Sequence, residues 1–89
     1  MYAIITTTGH DRVGIIAGIS SAAAQRNLNI VDVSQTLMDH YFTMIMRVEI
    51  PADEVDLSEL AAHLSGVGKK LGVVVRVQSE ALFSAINEI

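Results

Sequence analysis

The stretch NIVDVSQTLMDHYFTMIMRVEI, residues 29 to 50, constrains the fold most, because apolar and polar residues alternate along it on both sides of Asp39-His40. A period of two is the side-chain spacing of a β-strand, and a polar pair between two such runs is typical of a hairpin turn. We therefore expect a β-hairpin. In its second arm, one face carries Phe42, Met44, Met46, Val48 and Ile50, and the other carries Tyr41, Thr43, Ile45, Arg47 and Glu49.

Helical spacing appears on either side of this hairpin. Residues 13 to 26 place apolar side chains at three- and four-residue steps, and Gly14 and Gly18 fall within this segment. A second helix is predicted to begin at Asp56, which with Glu59 forms the aspartate version of a capping box, and to end at Gly72. Its apolar stripe consists of Leu57, Leu60, Ala61, Leu64, Val67 and Leu71.

Two further strands and a tail complete the pattern. YAIITTT, residues 2 to 8, predicts a first strand ended by Gly9, and VVVRVQS, residues 73 to 79, predicts a fourth. The tail SEALFSAINEI is amphipathic, with Leu82, Phe83, Ile86 and Ile89 on one side, and is expected to dock through Leu82, Phe83 and Ile86.

The order β-α-β-β-α-β predicts an α+β, ferredoxin-like fold: a four-stranded antiparallel sheet with two helices on one face, plus a short C-terminal helix. We expect one domain over residues 1–89, with the first and third strands in the centre of the sheet.

The second strand is then a long edge strand. Val31, Val33 and Leu37 are predicted to share one of its faces, and Asp32, Ser34 and Thr36 the other. Unpaired strand edges favour pairing with another chain, so we expect a homodimer that includes this strand or the first helix.

Composition excludes several partners. The formal net charge is −4 with only six Lys and Arg residues, which argues against a nucleic-acid binder. Absence of cysteine excludes disulfides and thiolate chemistry. The first ten residues lack the positive start and long apolar run of a signal peptide, and no apolar run is long enough to span a membrane, so we expect an unprocessed, soluble chain. We expect a cytoplasmic protein without membrane contact.

The loop in TTGHDRVGIIAGIS, residues 7 to 20, leads from a strand into a helix and is the main candidate site. Backbone amides at the helix start could hold a carboxylate while Asp11 holds an ammonium group, which is the charge pattern of an amino acid. An alternative is purely structural: Asp11 caps the helix, Arg12 is solvated and Gly14 permits close packing.

Three other functions are compatible with parts of the chain. Arg12 and the helix start could hold a phosphate, as in acylphosphatase-like enzymes. His10, Asp11 and Asp39-His40 could supply metal ligands, although they lack a close spacing motif. The open sheet face offers only Tyr2 and Tyr41 for stacking RNA bases, and no serine lies in a nucleophile elbow.

The chain resembles the ACT domain family, small βαββαβ modules that bind amino acids and regulate metabolic enzymes. GHDRVGIIAGIS, LNIVDVSQT and YFTMIM carry the resemblance, and with the ending ALFSAI they are similar to stand-alone ACT proteins of bacteria and archaea related to the N-terminal part of glycine cleavage repressors. The resemblance implies a non-enzymatic amino-acid sensor that controls a separate protein, with no catalytic residue, no metal ligand and no cofactor.

It also implies which residues bind. Asp11 and Asn29 occupy the positions that hold the ligand's polar groups in the family, and Gly14 matches a glycine that passes close to the ligand. Val13 stands where the family usually has proline, and Asp11 where an amide is common. The implied ligand-binding residues are His10, Asp11, Arg12, Val13, Gly14, Ile15 and Asn29.

Overall fold

Four antiparallel strands form one sheet in the order β2-β3-β1-β4 in a computed structural model that describes residues 1–10, 13–51 and 56–87. The predicted ferredoxin-like fold and the central positions of the first and third strands are confirmed. The elements are β1 (Tyr2–His10), α1 (Ile15–Gln25), β2 (Asn29–Met38), β3 (Tyr41–Glu49), α2 (Leu57–Leu71), β4 (Val73–Ser79) and α3 (Glu80–Asn87).

The core lies between the sheet and α1 with α2. β3 shows the predicted alternation: its even-numbered residues are buried, and its odd-numbered residues are exposed or half-buried. The helices contribute their apolar stripes to the same layer. The largest fully buried core side chains are Ile5, Ile15, Ile19, Met44, Met46, Val48, Leu60 and Leu64.

The first strand is longer than predicted, and the first helix begins later. Gly9 does not end β1, because it stays paired with Phe42 and with Val73, and a Cβ at Gly9 would lie 2.9 Å from Val73 Cγ1. Gly14 has a φ of 91°, outside the helical region, so α1 begins at Ile15 rather than at residue 13. Gly18 remains helical, where its missing side chain leaves room for Leu71 of α2.

β2 is an exposed edge with an irregular register. Asp39-His40 forms the predicted turn, but the pairing with β3 shifts between Ile30 and Asp32, a bulge that leaves Val31 without a partner. Ile30, not Val31, therefore shares the helix-facing side with Val33 and Leu37. Every residue from 31 to 38 is exposed, since α1 does not cover this edge.

The caps of α2 largely match the sequence prediction. The Asp56 carboxylate accepts hydrogen bonds from the backbone N–H groups of Ser58 (2.9 Å) and Glu59 (3.4 Å), and Gly72 ends the helix with a φ of 76°. Glu59 does not supply the reciprocal hydrogen bond of the predicted capping box. Its carboxylate accepts hydrogen bonds from the Arg26 guanidinium and so joins α2 to the end of α1.

The tail forms α3 against the otherwise open face of the sheet. Ile4 is only 6% exposed yet lies outside the main core, on the face away from α1 and α2. Arg47, on the same face, donates from Nε to Glu80 Oε1 (2.6 Å), and its guanidinium lies 3.8 Å from the centre of the Tyr2 ring. The predicted docking through Leu82 is wrong, because Leu82 is 50% exposed; the side chains of Ile86 and Ile89 lie outside the described residues.

Candidate functional site

Among the described residues of the connection from β1 to α1, none caps the first turn of the helix with its side chain. Its N-cap residue is Gly14, which has no side chain to accept a hydrogen bond, and the first turn contains no acidic residue. Two of the predicted site residues, Asp11 and Arg12, lie outside the described residues. The backbone amides of the first turn therefore remain suited to an anion within the part of this loop that the structure describes.

Within the part of the chain that the structure describes, the surface around these amides is open. Val13 is fully exposed, and a Cβ built on Gly14 would meet no atom within 4 Å. Ile15 is 2% exposed and belongs to the core, so only its backbone amide is available to a ligand. The close packing suggested as a structural role for Gly14 is not observed among the described residues. Gly14 instead adopts a positive φ, a backbone conformation that glycine tolerates best.

His10 lies on the other face of the sheet from these groups. It is the last residue of β1, its partner across the sheet is Tyr41, and the two exposed rings are 5.2 Å apart. Residues alternate faces along a strand, which places His10 with Tyr2 and Ile4 on the α3 side. His10 can therefore contact a ligand only at the rim of the loop.

Asn29 is far from the loop of its own chain. It begins β2 opposite Glu49, whereas the loop leaves β1 at His10, opposite Tyr41. The ten residues of β2 span about 30 Å at the usual rise per residue. One chain therefore does not bring the two ends of the predicted site together.

A cavity of about 340 Å³ lies beside the first turn of α1, and sequence reasoning missed it. The cavity is bounded by one residue of that turn and by both arms of the hairpin near its turn, and its lining contains no charged side chain. No local motif predicts it, because the lining comes from three separate elements. The lining residues are Ile16, Gln35, Thr36, Leu37 and Phe42.

The structure bears on the other functions considered. No three His, Asp or Glu side chains gather into a metal site within residues 1–10, 13–51 and 56–87. One face of the Tyr2 ring is occupied by Arg47, which reduces its use for stacking a base. In the described part of the chain no helix is long and apolar enough to cross a membrane.

Comparison with known proteins defines the class first. The sequence profile of the ACT domain matches residues 1–78. This range includes both core helices and the whole sheet except Ser79. ACT domains are regulatory ligand-binding modules. The fold agrees with that class.

The particular family follows from full-length similarity. The chain is 48% identical over 89 residues to a UPF0237 protein of Corynebacterium glutamicum, with complete coverage of both. It belongs to the UPF0237 family of ACT domain proteins. An ACT domain protein from Streptococcus pneumoniae superimposes with a TM-score of 0.84 and 42% identity, covering 93% of each chain.

The resemblance to glycine cleavage repressors extends to the fold. A crystal structure named for a candidate glycine cleavage system transcriptional repressor superimposes with a TM-score of 0.72. The match has 22% identity and covers 86% of this chain and 44% of the other. At this identity the similarity concerns the fold alone.

Proposed function

We propose that this chain is a single-domain, non-catalytic sensor that binds an amino acid at the interface of a homodimer and regulates a separate protein in the cytoplasm. The observation that carries the proposal is the separation of the two predicted halves of the site. Asn29 begins the exposed edge strand β2, whereas the loop after β1 lies at the end of the sheet where that strand ends.

The edge itself supports a dimer. Val33 and Leu37 lie on the helix-facing side of β2 yet are 44% and 58% exposed, and Ile16 of α1 is 45% exposed beside them. An uncovered edge strand with apolar side chains readily pairs with a second strand. Pairing of β2 with its copy across a two-fold axis would cover these side chains and extend the sheet to eight strands.

This pairing would complete the site. In an antiparallel pair of identical strands, the first residue of one strand lies opposite the last residue of the other. Asn29 of the partner subunit would then lie near Met38, at the end of the sheet where the loop and the first turn of α1 are found. Two equivalent sites would form, each from the loop of one subunit and Asn29 of the partner subunit.

The polar groups suit an amino acid. The first-turn amides of α1 would receive the carboxylate, an interaction worth about 0.3–1 kcal/mol from the helix dipole. Asp11 would hold the ammonium group, and Asn29 of the partner subunit the remaining polar atoms. The carboxylate is the better-supported contact, because Gly14 leaves both the amides and the space beside them open.

Two measurements test the proposal. Light scattering should show a dimer at tens of micromolar, and a thermal-shift screen with the twenty amino acids should give stabilisation by at least one. A dimer that no amino acid stabilises would instead support a ligand-free dimerisation module, and a monomer would contradict the interface.

Subunit complementation tests the shared site directly. Gly14→Asn places a side chain in the open space, and asparagine tolerates the left-handed backbone there. Asn29→Ala removes the other half, so each variant alone should lose binding. Mixed by refolding, they should regain about a quarter of the wild-type capacity, because half of the dimers would be mixed and hold one intact site of two. No recovery in the mixture would contradict a site shared between subunits.

A further inference from the structure

The cavity beside α1 bears on which amino acid is bound. It is bounded by Ile16 in the first turn of the helix, by Leu37 near the end of β2, and by Phe42 at the start of β3. Gln35 and Thr36 complete the lining. Ile16 is two residues from Gly14, so the cavity adjoins the amides that the proposed function assigns to the ligand carboxylate.

The chemistry of the lining selects against a charged side chain. Three of the five lining residues are apolar, and Gln35 and Thr36 are uncharged. Burial of an ionised group without a partner of opposite charge is costly, whereas an apolar group gains about 25 cal/mol per Å² that it removes from water. A ligand side chain in this cavity is therefore stabilised if it is apolar.

The cavity is also large enough for a ligand side chain. Small-molecule pockets usually measure about 300–1,000 Å³, and this cavity, at about 340 Å³, is near the lower end. An apolar amino-acid side chain such as that of leucine or methionine fits within such a volume.

We infer that the ligand is an α-amino acid with an apolar side chain, such as leucine, isoleucine or methionine, and that the cavity formed by Ile16, Leu37 and Phe42 receives that side chain. This inference rests on the proposed function and adds the side-chain class. Ile16 and Leu37, both exposed at the edge of the sheet, form the mouth of the cavity, and Phe42, 5% exposed, forms its floor.

Calorimetric titration of the wild-type protein tests the class. Leucine, isoleucine and methionine should bind at least about tenfold more tightly than glycine, serine, aspartate and lysine, as expected when a pocket loses several apolar contacts. If serine or lysine binds as tightly as leucine, the sensor function stands and the inference about its side chain is wrong. If no amino acid binds, the proposed function and the inference both fail.

A substitution then tests the cavity itself. Leu37→Ala widens it, so the preference should move toward phenylalanine, and the ratio of the leucine and phenylalanine dissociation constants should change on the order of tenfold. A ratio measured within one variant is insensitive to general losses of folding or dimerisation, which weaken both ligands alike.

The matched control is Val74→Ala. Val74 is 55% exposed on β4, the opposite edge strand, and Leu37 is 58% exposed on β2. The control should leave the ratio unchanged. An unchanged ratio in Leu37→Ala would overturn the inference, because the ligand side chain would then lie outside this cavity.

Discussion

Two glycines in α2, Gly66 and Gly68, should respond oppositely to the same substitution. A Cβ on Gly68 would lie 2.6 Å from Val75 Cγ2 and 3.0 Å from the Val73 carbonyl oxygen, whereas a Cβ on Gly66 would meet nothing within 4 Å. Gly68 therefore sets the distance between α2 and β4. Gly66 faces open space in the same helix.

The magnitudes follow from this geometry. Alanine is favoured over glycine in a helix interior by about 1 kcal/mol, and this gain applies to both positions. At Gly68 the new methyl group meets a buried, β-branched side chain and backbone, and such overpacking costs about 1–3 kcal/mol. The helix gain cancels in the comparison. Gly68→Ala should therefore be less stable than Gly66→Ala by about 1–3 kcal/mol.

Thermal and urea unfolding of the two variants provide the assay. For a domain of this size, 1 kcal/mol corresponds to a shift of about 4–8 °C in Tm, so the variants should differ by at least about 4 °C. Gly66→Ala should equal or exceed the wild type. Equal stability of the two variants would refute the close approach of α2 to β4.

Two smaller predictions concern the ion pair that holds α3 and a buried hydroxyl. The hydrogen bonds from Arg47 lower the pKa of the Glu80 carboxyl below its ordinary value of 4.5. The ion pair should therefore stabilise the docked α3 fully above pH 4.5, and this stabilisation should be lost as the pH falls through the lowered pKa. NMR shifts of residues 80 to 87 should show this transition, and Glu80→Gln should abolish it. Thr7 is fully buried and its hydroxyl has no partner among the described residues, so Thr7→Val should raise the free energy of unfolding by about 1 kcal/mol; a decrease would reveal a partner for the hydroxyl.

Much of the fold could be predicted from the sequence because the spacing of its apolar residues agrees with the strands and helices that form. Alternation around Asp39-His40 defined the hairpin and identified Met44 and Met46 as core residues, and both are 0% exposed. The bulge at Val31 was not predictable, since Ile30 and Val31 are both apolar and the pattern of side chains does not show which of them shares a face with Val33. The start of α1 was missed for a related reason: a glycine fits both a helix and a positive φ, and only the backbone shows that Gly14 adopts the second.

The candidate site could be predicted only in part. The glycine loop and the helix start have a local signature, and among the described residues Gly14 and the first-turn amides lie beside the exposed Val13. The cavity has none, because Ile16 and Leu37 become neighbours only through the packing of α1 near the sheet edge. Docking of the tail was predicted from its periodicity, but Leu82 shows that periodicity alone does not reveal which flank of a short helix faces the sheet.

In the proposed site, the position of Asn29 makes a second subunit necessary. A residue about 30 Å along β2 from the loop can act with it only if a second copy brings an equivalent residue back, which antiparallel pairing of identical edge strands would do. Ligand binding and dimerisation would then be linked, because a ligand held by both subunits stabilises the dimer by its binding free energy. An amino acid could thereby control how much of the protein presents the dimer surface to a regulated partner, without any change in the fold of either subunit.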